Sequence, residues 1–169
     1  MYMEGSNKKE MEEIACNYGF PIDSWNVSQV TDMSKLFCGE PYFDEYIESW
    51  DTSKVTNMNC MFSGACCFNQ DIGRWNVSKV TTMCSMFDNA EEFNQYIGGW
   101  DVSKVTNMSK MFFYAHRFNQ NIGQWDVSKV ADMSNIHVRW CTKFRPRYWF
   151  LECVSRANNE GDVFLCNQV

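Results

Sequence analysis

FNQDIGRWNVSKVTTMCSMFDNAEE, residues 68–92, is one unit of a repeat with a period of 25 residues. Shifting the frame by one period returns the same residue types. Trp25, Trp50, Trp75, Trp100 and Trp125 fill one column, and Val30, Val55, Val80, Val105 and Val130 a second. Met33, Met58, Met83, Met108 and Met133 form a third column. Phe37, Phe62, Phe87 and Phe112 make a fourth, and Phe43, Phe68, Phe93 and Phe118 a fifth. No residue is inserted or deleted across the five units. A fixed period of this length marks a stacked repeat array, in which each unit buries its apolar face against its neighbours.

Within the unit, Ile72, Trp75 and Val77 have the spacing of a leucine-rich repeat. Trp75 and Val77 lie two apart and share one side of an extended strand. From Ser78 onward the apolar spacing changes. Val80, Met83, Met86 and Phe87 are three or four apart, as on a helical stripe, with Ser78 as its N-cap. Val80, Thr81 and Thr82 weaken helix propensity, which limits the helix to one or two turns, partly 3-10. The expected fold class is therefore an α/β repeat: a right-handed leucine-rich-repeat-like solenoid with one short parallel strand and one short helix or 3-10 turn per coil.

Three segments are expected. Residues 1–21 read as an N-terminal helical cap, because Met11, Ile14 and Ala15 share a face and Gly19 and Pro21 end the helix. Residues 22–135 are the five-coil array. Residues 136–169 carry no repeat column and read as a C-terminal tail or cap. Asn69, Asn94 and Asn119 follow the Phe plug and read as a ladder of amides serving the backbone. Lys54, Lys79, Lys104 and Lys129 repeat in register and read as a solvated face.

The net charge of -6 and the pI near 4.9 argue against a polyanion-binding role. Nucleic-acid binders usually show a basic stripe, and the basic residues here are mostly spread out. The tail, however, is locally basic and aromatic and also reads as a contact site for nucleic acid or membrane. The chain has nine Cys, an odd number scattered over different repeat offsets and without a CxxC pair. They read as free thiols acting as small apolar side chains, which favours a reducing compartment. The first residues contain no apolar core of a signal peptide, and no run reaches the length of a membrane span.

The unit W-[DN]-[VT]-S-K-V-T-x-M-x-x-M-F, closed by FNQ, resembles the repeat of BspA-like leucine-rich-repeat surface proteins. The resemblance covers residues 22–135, and Tyr18-Gly19 ahead of Ile22-Asp23-Ser24-Trp25 is similar to the lead-in of that family. It implies a right-handed solenoid and a role in adhesion or protein binding, with no catalytic residue. The chain departs from the family in its cysteine content, in lacking a visible leader or lipobox, and in its tail. The thiols and the missing leader point to an intracellular or assembly-bound location, and the resemblance to a surface.

No converging titratable set is visible. His116 lies beside Arg117, and His137 stands where a core Phe is expected. His137 and Cys141 supply two metal ligands where a site needs three or four. No catalytic residue, metal or cofactor is expected, and the partner class is protein. The first functional reading is a noncatalytic protein-interaction or adhesion module. Its candidate face flanks the Trp column: Ser49, Arg74, Gly99 and Gln124 before it, and Asp51, Asn76, Asp101 and Asp126 after it. The alternative is a structural subunit of a larger assembly, such as a virion or supercomplex. Its contacts would be the ends of the array and the aromatic tail at Trp140, Phe144, Arg145, Tyr148 and Trp149.

Overall fold

The computed structural model describes residues 22–136. The expected helical cap over 1–21 and the tail contacts at Trp140, Phe144, Arg145, Tyr148 and Trp149 lie outside the described residues.

Successive 25-residue units stack as coils, and equivalent residues meet in register. One parallel bridge joins each neighbouring pair: Asp32 with Asn57, Asn57 with Thr82, Thr82 with Asn107, and Asn107 with Asp132. Around the bridges run longer rows of backbone hydrogen bonds. The N–H groups of Met83, Ser85, Phe87 and Asn89 donate to the carbonyls of Asn107, Ser109, Met111 and Phe113 in the next coil. At another edge the direction reverses. Thr56, Thr81 and Thr106 donate both N–H and hydroxyl back to Thr31, Thr56 and Thr81.

The expected α/β solenoid is not what the chain adopts. Among the described residues there is no α-helix and no strand, and the one helical element is a 3-10 turn, Ile22–Ser24. The reason is in the backbone. Lys35, Cys60, Ser85, Lys110 and Asn135 form a column with φ between 52° and 58°. Gly39, Gly64, Asn89 and Tyr114 form a second left-handed column four residues later. A helix over Val80–Phe87 needs unbroken right-handed dihedrals, and the left-handed residue at Ser85 interrupts it. The N–H groups alternate instead. Met86 and Asp88 donate to Met83 and Ser85 within the coil, while Ser85 and Phe87 donate to the next coil. The expected strand fails for a similar reason. Trp75 N–H closes a turn onto Ile72 O and Val80 N–H one onto Val77 O, so the segment bends twice within a few residues.

The core is layered as the columns require. Phe87 and Phe93 pack face to face at 4.0 Å within one coil, and Phe87 meets Phe62 and Phe112 at 5.7 Å above and below. Trp50 and Trp75 stack at 6.3 Å between centroids, nearly parallel. Met58, Met83 and Met108 are fully buried between these layers. From Trp50 onward each indole N–H of the column is satisfied by the preceding coil: Trp75 Nε1 donates to Ile47 O at 3.2 Å and Trp100 Nε1 to Ile72 O at 3.2 Å. Trp25 has no earlier described coil, and its Nε1 is buried without an acceptor. Thr52 stands in a Val column, and its buried hydroxyl is satisfied by Asn76 O.

Candidate interaction face

The Asn column after the Phe plug is a ladder. Asn94 Oδ1 accepts the N–H of Asn119 at 2.9 Å, and Asn69 Oδ1 accepts that of Asn94 at 2.9 Å. Gln95 and Gln120 reach back to the Asn69 and Asn94 carbonyls. These amides serve the backbone at the corner of each coil.

Ser49, Asp51, Arg74, Asn76, Asp101, Gln124 and Asp126 all lie on the surface, in register, beside the buried Trp column. They divide into two kinds. Asp51, Asn76, Asp101 and Asp126 each accept the N–H of the serine two residues on, at 3.0 to 3.1 Å. This Asx turn satisfies the backbone where the chain bends, and it takes the capping role that the Ser78 hydroxyl was expected to play. Ser78 Oγ instead donates to Asn76 Oδ1 at 2.7 Å. The hydrogen bonds from Ser103, side chain and backbone, hold the Asp101 carboxyl below the usual carboxylate range, and Ser53 and Ser128 do the same for Asp51 and Asp126.

Ser49, Arg74 and Gln124 carry no such turn. Arg74 lies 3.8 Å from Glu48 in the previous coil, with its side chain 85% exposed. Beside this pair is Tyr46, half exposed, whose hydroxyl donates to Glu48 Oε2 at 3.2 Å. The Glu48 carboxylate pushes the Tyr46 hydroxyl pKa up. Two coils further along the same column stands Tyr96, also exposed. Tyr46, Glu48 and Tyr96 were not among the expected face residues. Their signal is an aromatic ring in a column where no core residue recurs: Tyr46, Asp71, Tyr96, Asn121.

Lys79, Lys104 and Lys129 are exposed, and Lys54 donates to Gln29 in the preceding coil. His116 packs edge-on against Tyr114, and Arg117 pairs with Glu92 at 3.0 Å. His137 and Cys141 lie outside the described residues. Cys38, Cys60, Cys66, Cys67 and Cys84 are free thiols, and burial pushes the Cys60 thiol pKa up, away from the reactive thiolate. Among the described residues no group of three or more His, Cys, Asp or Glu is placed to hold a metal ion, and no helix is long and apolar enough to cross a membrane.

No curated protein and no solved structure matches the chain. A family match spans residues 7–102 and, in a second overlapping copy, residues 68–158. Both copies run through the stacked coils, and together they take in most of the sequence. The chain belongs to the repeat family described as Mycoplasma protein of unknown function, DUF285.

Proposed function

We propose that this chain is a noncatalytic protein-interaction or adhesion module, the role implied by its resemblance to BspA-like surface proteins. The partner reads the exposed row beside the Trp column. The observation that carries this reading is the row itself. The buried Trp, Phe and Met columns fix its spacing, while Ser49, Arg74 and Gln124 change identity from coil to coil at one position. A rigid core carrying variable outward residues suits recognition through many small contacts. A noncatalytic role also suits the chemistry. The three acidified carboxyls are each tied to a serine of their own coil, and the most buried thiol among the shifted groups resists ionisation.

The test is capture of partners from the native source by the full chain and by a Ser49→Leu, Gln124→Leu variant. Both positions are exposed, and the turns they sit in are closed by backbone bonds, Trp50 N–H to Ile47 O and Trp125 N–H to Ile122 O, not by their side chains. Partner capture is expected to fall by about tenfold or more, the size of a lost hot-spot contact, with the thermal midpoint unchanged. Equal capture by both proteins would overturn this face.

A further inference from the structure

We infer that this face takes a cationic side chain, Lys or Arg, of a protein partner, seated on Asp71 between the rings of Tyr46 and Tyr96. The inference rests on the interaction reading above and names the chemistry of the partner. Register places Tyr46, Asp71 and Tyr96 on three successive coils of one column. At parallel-bridge spacing the backbones at Tyr46 and Tyr96 stand ~10 Å apart, with Asp71 between them. A cation midway lies within the ~6 Å reach of a ring face.

The chain shows what this surface accepts. In the coil carrying Tyr46, the neighbouring carboxylate is Glu48, and the chain's own Arg74 comes to it from the next coil at 3.8 Å. One coil further, Asp71 replaces Tyr46, Gly73 replaces Glu48, and Gly99 replaces Arg74. The guanidinium has no counterpart there. A Cβ added at Gly99 meets nothing within 4 Å, so the place is open. Asp71 Oδ1 accepts the Gly73 N–H at 2.9 Å, and that is the one hydrogen bond its carboxylate accepts among the described residues, with no ion pair. The next ring, Tyr96, is seated against Gly98: a Cβ there would lie 2.8 Å from Tyr96 Cε2. The ring is therefore held in position while 58% of the residue stays exposed.

Charge favours the same ligand. Across the columns from Asp44 to Asp51, Arg74 is the only cationic side chain among the described residues, against acidic groups in every coil. An incoming Lys or Arg exchanges water for a carboxylate and an aromatic face, whereas an acidic segment is repelled by the carboxylate at Asp71.

The experiment uses the full chain and two fluorescent peptides, alternating Arg-Gly and alternating Glu-Gly, followed by anisotropy at low and high salt. The Arg-Gly peptide should bind, more weakly at high salt, and the Glu-Gly peptide should not. Asp71→Asn keeps the acceptor for Gly73 and removes the charge, and should weaken binding about five- to tenfold. Tyr96→Leu should weaken it about threefold, while Tyr96→Phe, which keeps the ring, should bind as the parent does. Gly99→Arg supplies the missing cation from the chain itself and should abolish binding. Arg74→Ala frees Glu48 and should tighten it. Equal binding of the two peptides overturns the inference, as does unchanged affinity in Asp71→Asn and Gly99→Arg variants of parental thermal midpoint. If native-partner capture depends on Ser49 and Gln124 while the Arg-Gly peptide does not bind, this inference falls and the interaction reading stands.

Discussion

A methyl group added at Gly98 would lie 2.2 Å from the carbonyl oxygen of Asn121 in the next coil, and the equivalent atom at Gly73 would lie 2.4 Å from Tyr96 O. Backbone atoms cannot yield as a side-chain end can, so these glycines set how closely two coils approach. Gly99, the adjacent residue, faces open space. Gly98→Ala is expected to cost about 1 to 3 kcal/mol or more through overpacking, and Gly99→Ala to stay within about 0.5 kcal/mol of the parent. Chemical denaturation of the two variants checks this, and equal midpoints would mean the coils do not meet at Gly98. In the sequence, Gly98 and Gly99 are two adjacent identical residues. Nothing in the pair itself shows which of the two has a carbonyl overhead.

The corner after each Trp has its own energetics. Asp51, Asp101 and Asp126 close their turns as carboxylates whose folded pKa lies below the ordinary value. The stabilisation from such a group is complete above the unfolded pKa of about 3.9 and is lost as pH falls through the folded value. Asp88 acts in the opposite direction, since burial raises its pKa and its contribution declines as pH rises through that value. Replacing Asp51, Asp101 and Asp126 together by Asn keeps each acceptor oxygen and removes its titration. The thermal midpoint of that variant should fall less steeply than the parent's between about pH 5 and pH 2. A curve parallel to the parent's would show that the turn does not depend on charge.

How legible the elements were depends on what each signal encodes. The period, the buried columns and the Asn ladder were readable, because each is a statement about which side chains recur. The element type was misread. Val80, Met83, Met86 and Phe87 have helical spacing, yet a chain that turns left-handed at Ser85 and again at Asn89 buries the same residues with no helix. Periodicity reports which side chains face inward and is silent on the sign of φ. Ser and Lys in a left-handed column give no warning, since Gly and Asn are the residues expected there. Of the candidate face, only the exposure of the positions flanking the Trp column was legible; that Asp51 and Asp101 each hold a turn was not.

Residues 22–136 form a sum of nearly identical layers, each paired with those next to it. Removing residues 76–100 joins Trp75 to Asp101 and preserves every column. That shortened chain should fold, with a lower thermal midpoint because one layer of ring stacking and backbone pairing is gone. Removing residues 76–99 shifts everything after Trp75 out of register by one and should abolish the cooperative transition and the near-ultraviolet signal of the stacked indoles. Equal behaviour of the two deletions would mean that the layers are not held by register.

The backbone bonds between layers are directional. The Met83–Asn89 edge donates toward later coils, and the Thr and Trp columns donate toward earlier ones. The stack therefore has a polarity, like a magnet cut anywhere along its length. At the first described coil Trp25 offers a proton that no oxygen among the described residues receives. At the last, Ile122 O takes the Trp125 N–H and has no later described indole to match the pairing at Ile97. The two faces of each described layer are complementary to each other and not to themselves, so a segment shaped to pair with one face is chemically wrong for the other.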